Sequence, residues 1–158
     1  MNKVYLLTGG NMGNREQHLQ QAASILETYG TIKQKSALYE TAAWGKTDQP
    51  AFLNQVLLLH TSLEPMDLLE KVLETELQLG RVREEKFGPR IIDIDILFYN
   101  EAVIDLPGLQ VPHPQMAKRR FVLEPLNEIA PNFLHPVLQK TVHQLLQECP
   151  DQLQVTKL

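Results

Sequence analysis

Residues 91–99 read Ile-Ile-Asp-Ile-Asp-Ile-Leu-Phe-Tyr, so apolar and acidic side chains alternate before the segment becomes wholly apolar. Alternation with a period of two is typical of a β-strand, in which successive side chains point to opposite faces of a sheet. The pattern directs the isoleucines toward a core and places Asp93 and Asp95 together on the other face. This is the strongest strand signal in the chain.

On either side of this strand, the apolar spacing predicts further strands and helices. Gly30 and Gly80 follow two helical patterns and are positioned to end them. Gly9-Gly10 is expected to end the first strand in a turn, and residues 110–116 are too rich in proline for a regular element. The expected strands are 3–8, 32–40, 52–62 and 91–99, and the expected helices are 14–29, 65–79, 121–129 and 141–148.

The order β-α-β-β-α-β followed by a helical tail is that of the ferredoxin-like, split-βαβ folds. We therefore expect an α+β protein with a mostly antiparallel sheet, helices packed on it and a C-terminal helical extension. No repeat or linker divides the sequence, so residues 1–158 are expected to form a single domain. Residues 41–51 and 81–90 are polar and contain glycine and proline, which predicts two long loops.

The composition, with 43% hydrophobic and 22% charged residues, is that of a globular protein. A net charge of −4 gives no overall attraction to nucleic acid or to an anionic membrane, so neither is expected as a partner. No apolar run approaches the roughly 20 residues of a membrane span, and the N-terminal run is too short for a signal peptide. The only cysteine, Cys149, fits a reducing compartment, and we expect a cytoplasmic protein.

The acidic pair follows a segment rich in arginine. Arg81, Arg83 and Arg90 lie within the ten residues 81–90, just before Asp93 and Asp95. Neighbouring carboxylates repel each other unless a cation lies between them, and Mg²⁺ typically binds one or two carboxylates together with phosphate oxygens. An Asp-x-Asp pair alone is as often a solvated strand face. The arginines favour a metal–polyphosphate site, because arginine binds phosphate through paired donors.

A second group of residues suits a flat heterocycle. Asn54 offers a donor and an acceptor to an amide edge, and Phe52 is expected on the same side of its strand. Taken alone, a strand-start aromatic with a turn asparagine is the commoner explanation of this pattern. Glu76 is a further candidate, since Leu73 and Leu77 flank it on the helix face expected to be buried, where a carboxylate needs a partner.

With these residues in view, the sequence resembles the 6-hydroxymethyl-7,8-dihydropterin pyrophosphokinase family from about Val4 to Leu146. The signature segment is residues 86–97, Lys-Phe-Gly-Pro-Arg-Ile-Ile-Asp-Ile-Asp-Ile-Leu. Supporting matches are 9–15 (GGNMGNR), 39–41 (YET), 48–54 (DQPAFLN), 80–83 (GRVR), 112–116 (PHPQM) and 121–131 (FVLEPLNEIAP). The resemblance implies transfer of the β,γ-diphosphate of ATP to the pterin hydroxymethyl group, with release of AMP, in tetrahydrofolate biosynthesis.

The resemblance also implies roles for individual residues, two Mg²⁺ ions held by Asp93 and Asp95, and a monomeric enzyme. The residues implied in catalysis are Arg81, Arg90, Asp93 and Asp95. Those implied in ATP binding are Glu76, Arg81, Arg83, Arg90, Ile96, His113 and Arg119. Those implied in pterin binding are Thr41, Ala42, Ala43, Trp44, Phe52, Asn54, Phe87 and Phe121.

Departures from the family pattern bear on affinity and leave the Asp pair and the main arginines intact; they are Gly10, Asn14, Ala43, Gln115 and Ala117. Two other functions remain open from the residues alone. A ferredoxin-like regulatory module would not need paired metal-binding acids. Another two-metal enzyme, such as a phosphodiesterase, would leave the aromatic and asparagine segments unexplained.

Overall fold

The computed structural model describes residues 1–42, 50–80 and 91–158. Its elements follow the predicted alternation, with three of the four predicted helices shorter than expected, one longer by a residue, and additional short strands. The strands are β1 (Asn2–Gly10), β2 (Thr31–Lys35), β3 (Tyr39–Thr41), β4 (Phe52–Thr61), β5 (Asp93–Tyr99), β6 (Ile104–Leu106), β7 (Leu109–Val111) and β8 (Val155–Lys157). The helices are α1 (Arg15–Leu26), α2 (Pro65–Gln78), α3 (Arg120–Ile129) and α4 (Val142–Gln147), with a 3-10 turn at Met116–Lys118.

The main sheet has six strands in the order β5-β1-β4-β3-β8, with β2 also paired to β4. All of its described pairs are antiparallel. Strands β2 and β3 both pair with β4, and β4 lies between them and β1. The first βαβ unit is therefore split, as predicted. The α+β, ferredoxin-like class is therefore confirmed.

Two apolar layers cover the sheet. On one face, α1 and α2 pack over a core that includes Ile92, Ile94 and Ile96. On the other face, α3 packs over Leu7 and other buried side chains from β1, β4 and β5. The isoleucines of β5 therefore point into the first core, and Asp93 and Asp95 occupy the α3 face, as the alternation predicts.

The predicted strand 32–40 is divided in two. β2 pairs with residues 57–60 of β4 and β3 with residues 52–54. Between them, the Ser36 N–H donates to the Val56 carbonyl at 2.9 Å and the Ser36 Oγ accepts from the Val56 N–H at 2.9 Å. Ser36 thus pairs the N–H and C=O of Val56, which lies on β4 between the residues paired with β2 and those paired with β3.

Three other expectations were wrong. Gly9 and Gly10 continue β1, since both are paired with β4, and do not form a turn. Residues 110–116 are not wholly irregular, because β7 pairs with β6 in a small hairpin just before Pro112. β8 adds a strand beside β3 where no element was predicted. Within the described residues, no helix combines the length and apolarity needed to cross a membrane.

Candidate functional site

Asp93 and Asp95 lie at the edge of the main sheet as described, because β1 is the only strand neighbour of β5 among the described residues. Asp93 is opposite Gly9 and Asp95 is opposite Leu7, and both carboxylates are half-buried on the α3 face. Since directly opposed residues share a face, the row continues from Gly9 to Asn54 on β4. The carboxylates and this amide thus line one strip of the sheet.

Gly9 makes room for Asn54. A Cβ atom at Gly9 would lie 2.1 Å from the Asn54 Nδ2, far inside ordinary contact. In the space left by this glycine, the Asn54 amide crosses β1, and its Nδ2 donates to the Thr8 carbonyl at 3.3 Å. The Asn54 Oδ1 is buried and has no hydrogen-bond partner among the described residues. A buried acceptor of this kind is costly unless a ligand satisfies it.

A cavity of about 140 Å³ opens above this strip, and we call it the ring pocket. Its wall includes the side chains of Phe52 and Phe121, and the Thr41 Oγ1 is buried in it without a hydrogen-bond partner in the described part of the chain. Its lining residues are Leu7, Gly9, Thr41, Ala42, Phe52, Asn54, Asp93, Asp95, Arg119 and Phe121. Apolar walls with a few unpaired polar atoms suit a flat heterocycle.

A larger open groove of about 900 Å³ adjoins the ring pocket, and we call it the edge groove. It is lined by α2, by residues 93–96, by the β6–β7 hairpin and by His113. Asp93, Asp95 and Arg119 line both cavities. The two cavities therefore meet at two carboxylates and one guanidinium.

Glu76 and Ile96 both line the edge groove and are almost fully buried. The Glu76 Oε2 accepts a hydrogen bond from the Ile94 N–H at 2.8 Å, so the partner that this carboxylate needs is the backbone of β5. The prediction that Leu73 and Leu77 lie on the buried face of α2 was wrong, because Leu73 is 39% and Leu77 72% exposed. The helix is rotated so that the carboxylate, and not these leucines, meets the sheet.

His113 lines the edge groove, close to the charges of Arg119 and Asp93. Burial lowers the pKa of His113, the charge of Arg119 lowers it further, and Asp93 opposes part of the shift. Burial and the Arg119 charge thus favour the neutral ring. Its Nδ1 accepts from the Gln115 N–H at 3.2 Å, which assigns the ring proton to Nε2. His113 can donate a hydrogen bond but does not supply a full positive charge.

Arg119 and Phe121 flank the first residue of α3. The Arg119 guanidinium carbon lies 5.9 Å from the centre of the Phe121 ring, within the range of a cation–π contact. This contact directs the guanidinium toward the place where the two cavities meet.

The structure brings most of the predicted site residues together around the two cavities. From the predicted pterin set these are Thr41, Ala42, Phe52, Asn54 and Phe121, and from the predicted ATP and metal set Glu76, Asp93, Asp95, Ile96, His113 and Arg119. The remaining predicted residues lie outside the described ones; they are Ala43, Trp44, Arg81, Arg83, Phe87 and Arg90.

Two supporting residues were missed from the sequence. Gly9 gives no signal for its role, because only the pairing register places it against Asn54. The Arg15 Nη1 lies 2.7 Å from the Glu40 Oε2 and donates to the Ala51 carbonyl at 2.9 Å. Arg15 thus ties β3 to the start of β4 beside the ring pocket. No periodic pattern in the sequence indicates this ion pair, because its two residues are 25 positions apart.

Together, the fold and the site define a ferredoxin-like protein with a ring-binding pocket beside a carboxylate-lined groove. A model of the family 7,8-dihydro-6-hydroxymethylpterin-pyrophosphokinase (HPPK) matches residues 5–131. The 2-amino-4-hydroxy-6-hydroxymethyldihydropteridine pyrophosphokinase of Aquifex aeolicus is 44% identical over 148 residues, which cover 94% of this chain and 92% of that protein. The enzyme of the same name from Bacillus subtilis is 45% identical over 81% of this chain and 78% of its own length.

Solved structures give the same fold. Plasmodium falciparum HPPK-DHPS superposes with a TM-score of 0.74 at 20% identity, covering 94% of this chain and 43% of that one. The chain thus spans less than half the length of this structural neighbour. It belongs to the 7,8-dihydro-6-hydroxymethylpterin-pyrophosphokinase family. As a member it is a folate-biosynthesis enzyme that transfers the pyrophosphoryl group of ATP to hydroxymethyldihydropterin.

Proposed function

We propose that the ring pocket binds the pterin, that the edge groove binds ATP, and that transfer takes place where they meet. The observation that supports this most strongly is that Asp93, Asp95 and Arg119 line both cavities. A substrate in each cavity would present its reacting group to the same three side chains. Proximity and orientation of this kind account for a large part of phosphoryl-transfer catalysis.

In the ring pocket, the polar edge of the pterin pairs with the buried oxygens of Asn54 and Thr41. Phe52 and Phe121 border the ring. A pocket built to hydrogen-bond a specific edge rejects analogues that lack it, because its buried polar atoms would stay unpaired. The resemblance adds Ala42, Ala43, Trp44 and Phe87 to this subsite, with Ala42 also lining the pocket.

Asp93 and Asp95 fit a magnesium site. Both are oxygen ligands on one face of a strand, and the described residues hold no cluster of three or more His, Cys, Asp or Glu side chains that would enclose a metal. Phosphate oxygens would therefore complete the coordination, which is how Mg²⁺ is usually bound at nucleotide sites. Two Mg²⁺ ions, when bound, supply positive charge that neutralises the triphosphate.

Other side chains of the edge groove orient the phosphates. Arg119 contributes a fixed charge at the junction, and Arg81, Arg83 and Arg90 contribute further charge, as the family resemblance implies. His113 donates a hydrogen bond from Nε2, consistent with its lowered pKa. Glu76 and Ile96 line the groove under the nucleotide, and Glu76 holds β5 in place through its hydrogen bond to the Ile94 N–H.

In the reaction, the pterin hydroxymethyl oxygen bonds to the β-phosphorus of ATP, the bond from that phosphorus to the α,β-bridging oxygen breaks, and AMP leaves. The hydroxyl proton passes to solvent or to a phosphate oxygen. None of the described residues needs to act as a strong base, because the transition state is stabilised mainly by position and charge. The protein's contribution is to align the two substrates and exclude water.

The same proposal extends to the whole chain. We take residues 1–158 as one domain that acts as a cytoplasmic monomer on two small-molecule substrates, with neither nucleic acid nor membrane as a partner. The net charge of −4 supports the absence of nucleic-acid and membrane partners.

The placement of the substrates is tested by measuring the Kd values of 6-hydroxymethyl-7,8-dihydropterin and of a non-hydrolysable ATP analogue separately. Asn54→Ala is expected to weaken pterin binding at least about tenfold and to leave the nucleotide Kd nearly unchanged. Glu101→Ala, on an exposed turn, is the control and should change neither. Equal weakening of both ligands by Asn54→Ala would contradict the assignment of the two cavities.

A further inference from the structure

The C-terminal segment, residues 148–158, reaches both sides of the ring pocket. It begins beside a small third cluster of buried residues, in which Cys149 packs with Leu123 and Leu145. It then passes the first turn of α3 and ends as β8 on the outer edge of β3. The segment lies beyond residues 5–131, which the family model matches. No site residue was predicted in it.

Asp151 caps α3. Its Oδ2 accepts from the Arg120 N–H at 3.0 Å, and its Oδ1 accepts from the Leu153 N–H at 2.9 Å. The Arg120 Nε donates in return to the Asp151 carbonyl at 3.1 Å. The residue at the N-cap position, Arg119, makes no capping hydrogen bond of its own. A carboxylate 9% exposed at the positive end of the helix therefore supplies the cap from another part of the chain.

The residues on either side of this capped N–H belong to the ring pocket. Arg119 precedes Arg120 and Phe121 follows it, and both line the pocket. Fraying of the first turn of α3 would move both side chains at once. The cap therefore fixes one wall of the pocket.

β8 supports the opposite wall. Val155 is paired with Thr41, which lines the pocket and has a buried hydroxyl, and Thr156 is paired with Glu40. The ladder continues to the Leu158 N–H, which donates to the Leu38 carbonyl at 2.9 Å. β3 has only three residues, so without β8 it would be a short edge strand held by β4 alone.

We infer that the C-terminal segment is a positioning element of the pterin subsite, in which Asp151 holds the α3 wall and β8 holds the β3 wall. The inference rests on the proposed placement of the pterin in the ring pocket. If either the Asp151 cap or the pairing of β8 with β3 is lost, a smaller fraction of molecules has both walls of the pocket in place. The apparent pterin Kd then rises by the inverse of the competent fraction. Asp151 acts through Arg119 and Phe121 and has no direct role in the chemistry.

The test compares Asp151→Ala, Asp151→Asn and Thr156→Pro with wild type in the full chain. Thr156→Pro removes a backbone N–H from β8. Asp151→Ala and Thr156→Pro are each expected to raise the pterin Kd and KM by roughly five- to twentyfold, with kcat at saturating pterin reduced by less than about threefold. Asp151→Asn keeps an acceptor oxygen and should recover most of the affinity. The control is Glu148→Ala. Glu148 lies in the same segment and is an exposed partner of Lys140, so its removal should leave the pterin Kd, KM and kcat unchanged.

Circular dichroism at the assay temperature confirms that each variant is folded, and Asn54→Ala serves as the reference for the pocket itself. If Asn54→Ala weakens pterin binding but neither Asp151→Ala nor Thr156→Pro does, the segment has no positioning role. If none of the three weakens it, the pterin binds elsewhere and the proposed placement is wrong. A loss of stability in Asp151→Ala without a change in pterin Kd makes the cap structural only and overturns the inference.

Discussion

Gly9→Ala tests the central contact of the ring pocket. The added methyl group would lie 2.1 Å from the Asn54 Nδ2, 3.2 Å from its Cγ and 3.3 Å from the Leu53 carbonyl oxygen, whereas ordinary contact begins at 3.4 Å. The two backbone strands are fixed by the β1–β4 ladder, so the Asn54 amide is the group that must move. Its bond to the Thr8 carbonyl is then lost and the Oδ1 leaves the pocket.

The expected cost follows from these two changes. Loss of one hydrogen bond costs about 1 kcal/mol, and forcing a methyl group into a packed site adds about 1–3 kcal/mol to the destabilisation. Since the pterin also loses an acceptor, its Kd should rise about 10- to 100-fold, or about 1.4–2.8 kcal/mol. The nucleotide Kd should change little, because neither Gly9 nor Asn54 lines the edge groove.

A double-mutant cycle with Asn54→Ala isolates the clash. Urea denaturation gives the unfolding free energy, and titration of the pterin fluorescence gives Kd, for wild type, both single variants and the double variant. In the Asn54→Ala background the amide is absent, so Gly9→Ala should cost less than about 0.5 kcal/mol in either quantity. If Gly9→Ala costs as much there as in wild type, the amide is not what the glycine accommodates, and the reasoning fails.

Asp95→Ala is expected to lower kcat at least about hundredfold while changing the unfolding free energy by less than about 1 kcal/mol, because the carboxylate faces the cavities and not the core. A large drop in Tm with activity retained would show the opposite. Glu76→Ala leaves the Ile94 N–H without its acceptor and should destabilise the protein by about 1–3 kcal/mol in urea, with Glu76→Gln costing less. His135 accepts two backbone N–H groups at Nδ1, and burial lowers its pKa. Stability should therefore fall as the pH drops below the ordinary histidine value of 6.5, and a melt series at several pH values should show a weaker dependence for His135→Gln.

The sequence predicted the β5 strand and its acidic face correctly, because a period of two fixes which side chains share a face whatever the partners are. It also predicted the class of fold, since the order of the elements suffices for that. The same reasoning failed for α2. Leu73 and Leu77 have helical spacing, yet the buried residues of this helix include Glu76. Hydrophobicity alone cannot show that a strand edge offers an N–H group that a carboxylate satisfies.

The contributions of Gly9, Arg15 and Asp151 could not be predicted for a different reason. Each depends on a contact between segments far apart in the chain, with Asp151 and Arg120 separated by 31 residues and Arg15 and Ala51 by 36. Local patterns carry no information about such pairs. The family resemblance named residues that line the two cavities and left out those that hold these residues in place.

The position of the acidic pair at the edge of the described sheet supports the proposal that two substrates reach one set of carboxylates. Within the described residues, β1 is the one strand bonded to β5, and Asp93 and Asp95 line both the ring pocket and the edge groove. On a central strand, a neighbouring strand would take the place of the edge groove. An edge strand has unpaired backbone donors, however, and would be a liability without a cover. Glu76 accepts one of these donors, the Ile94 N–H, between the two aspartates. In the proposed arrangement, the buried carboxylate of α2 lets this strand edge serve as the junction of both subsites.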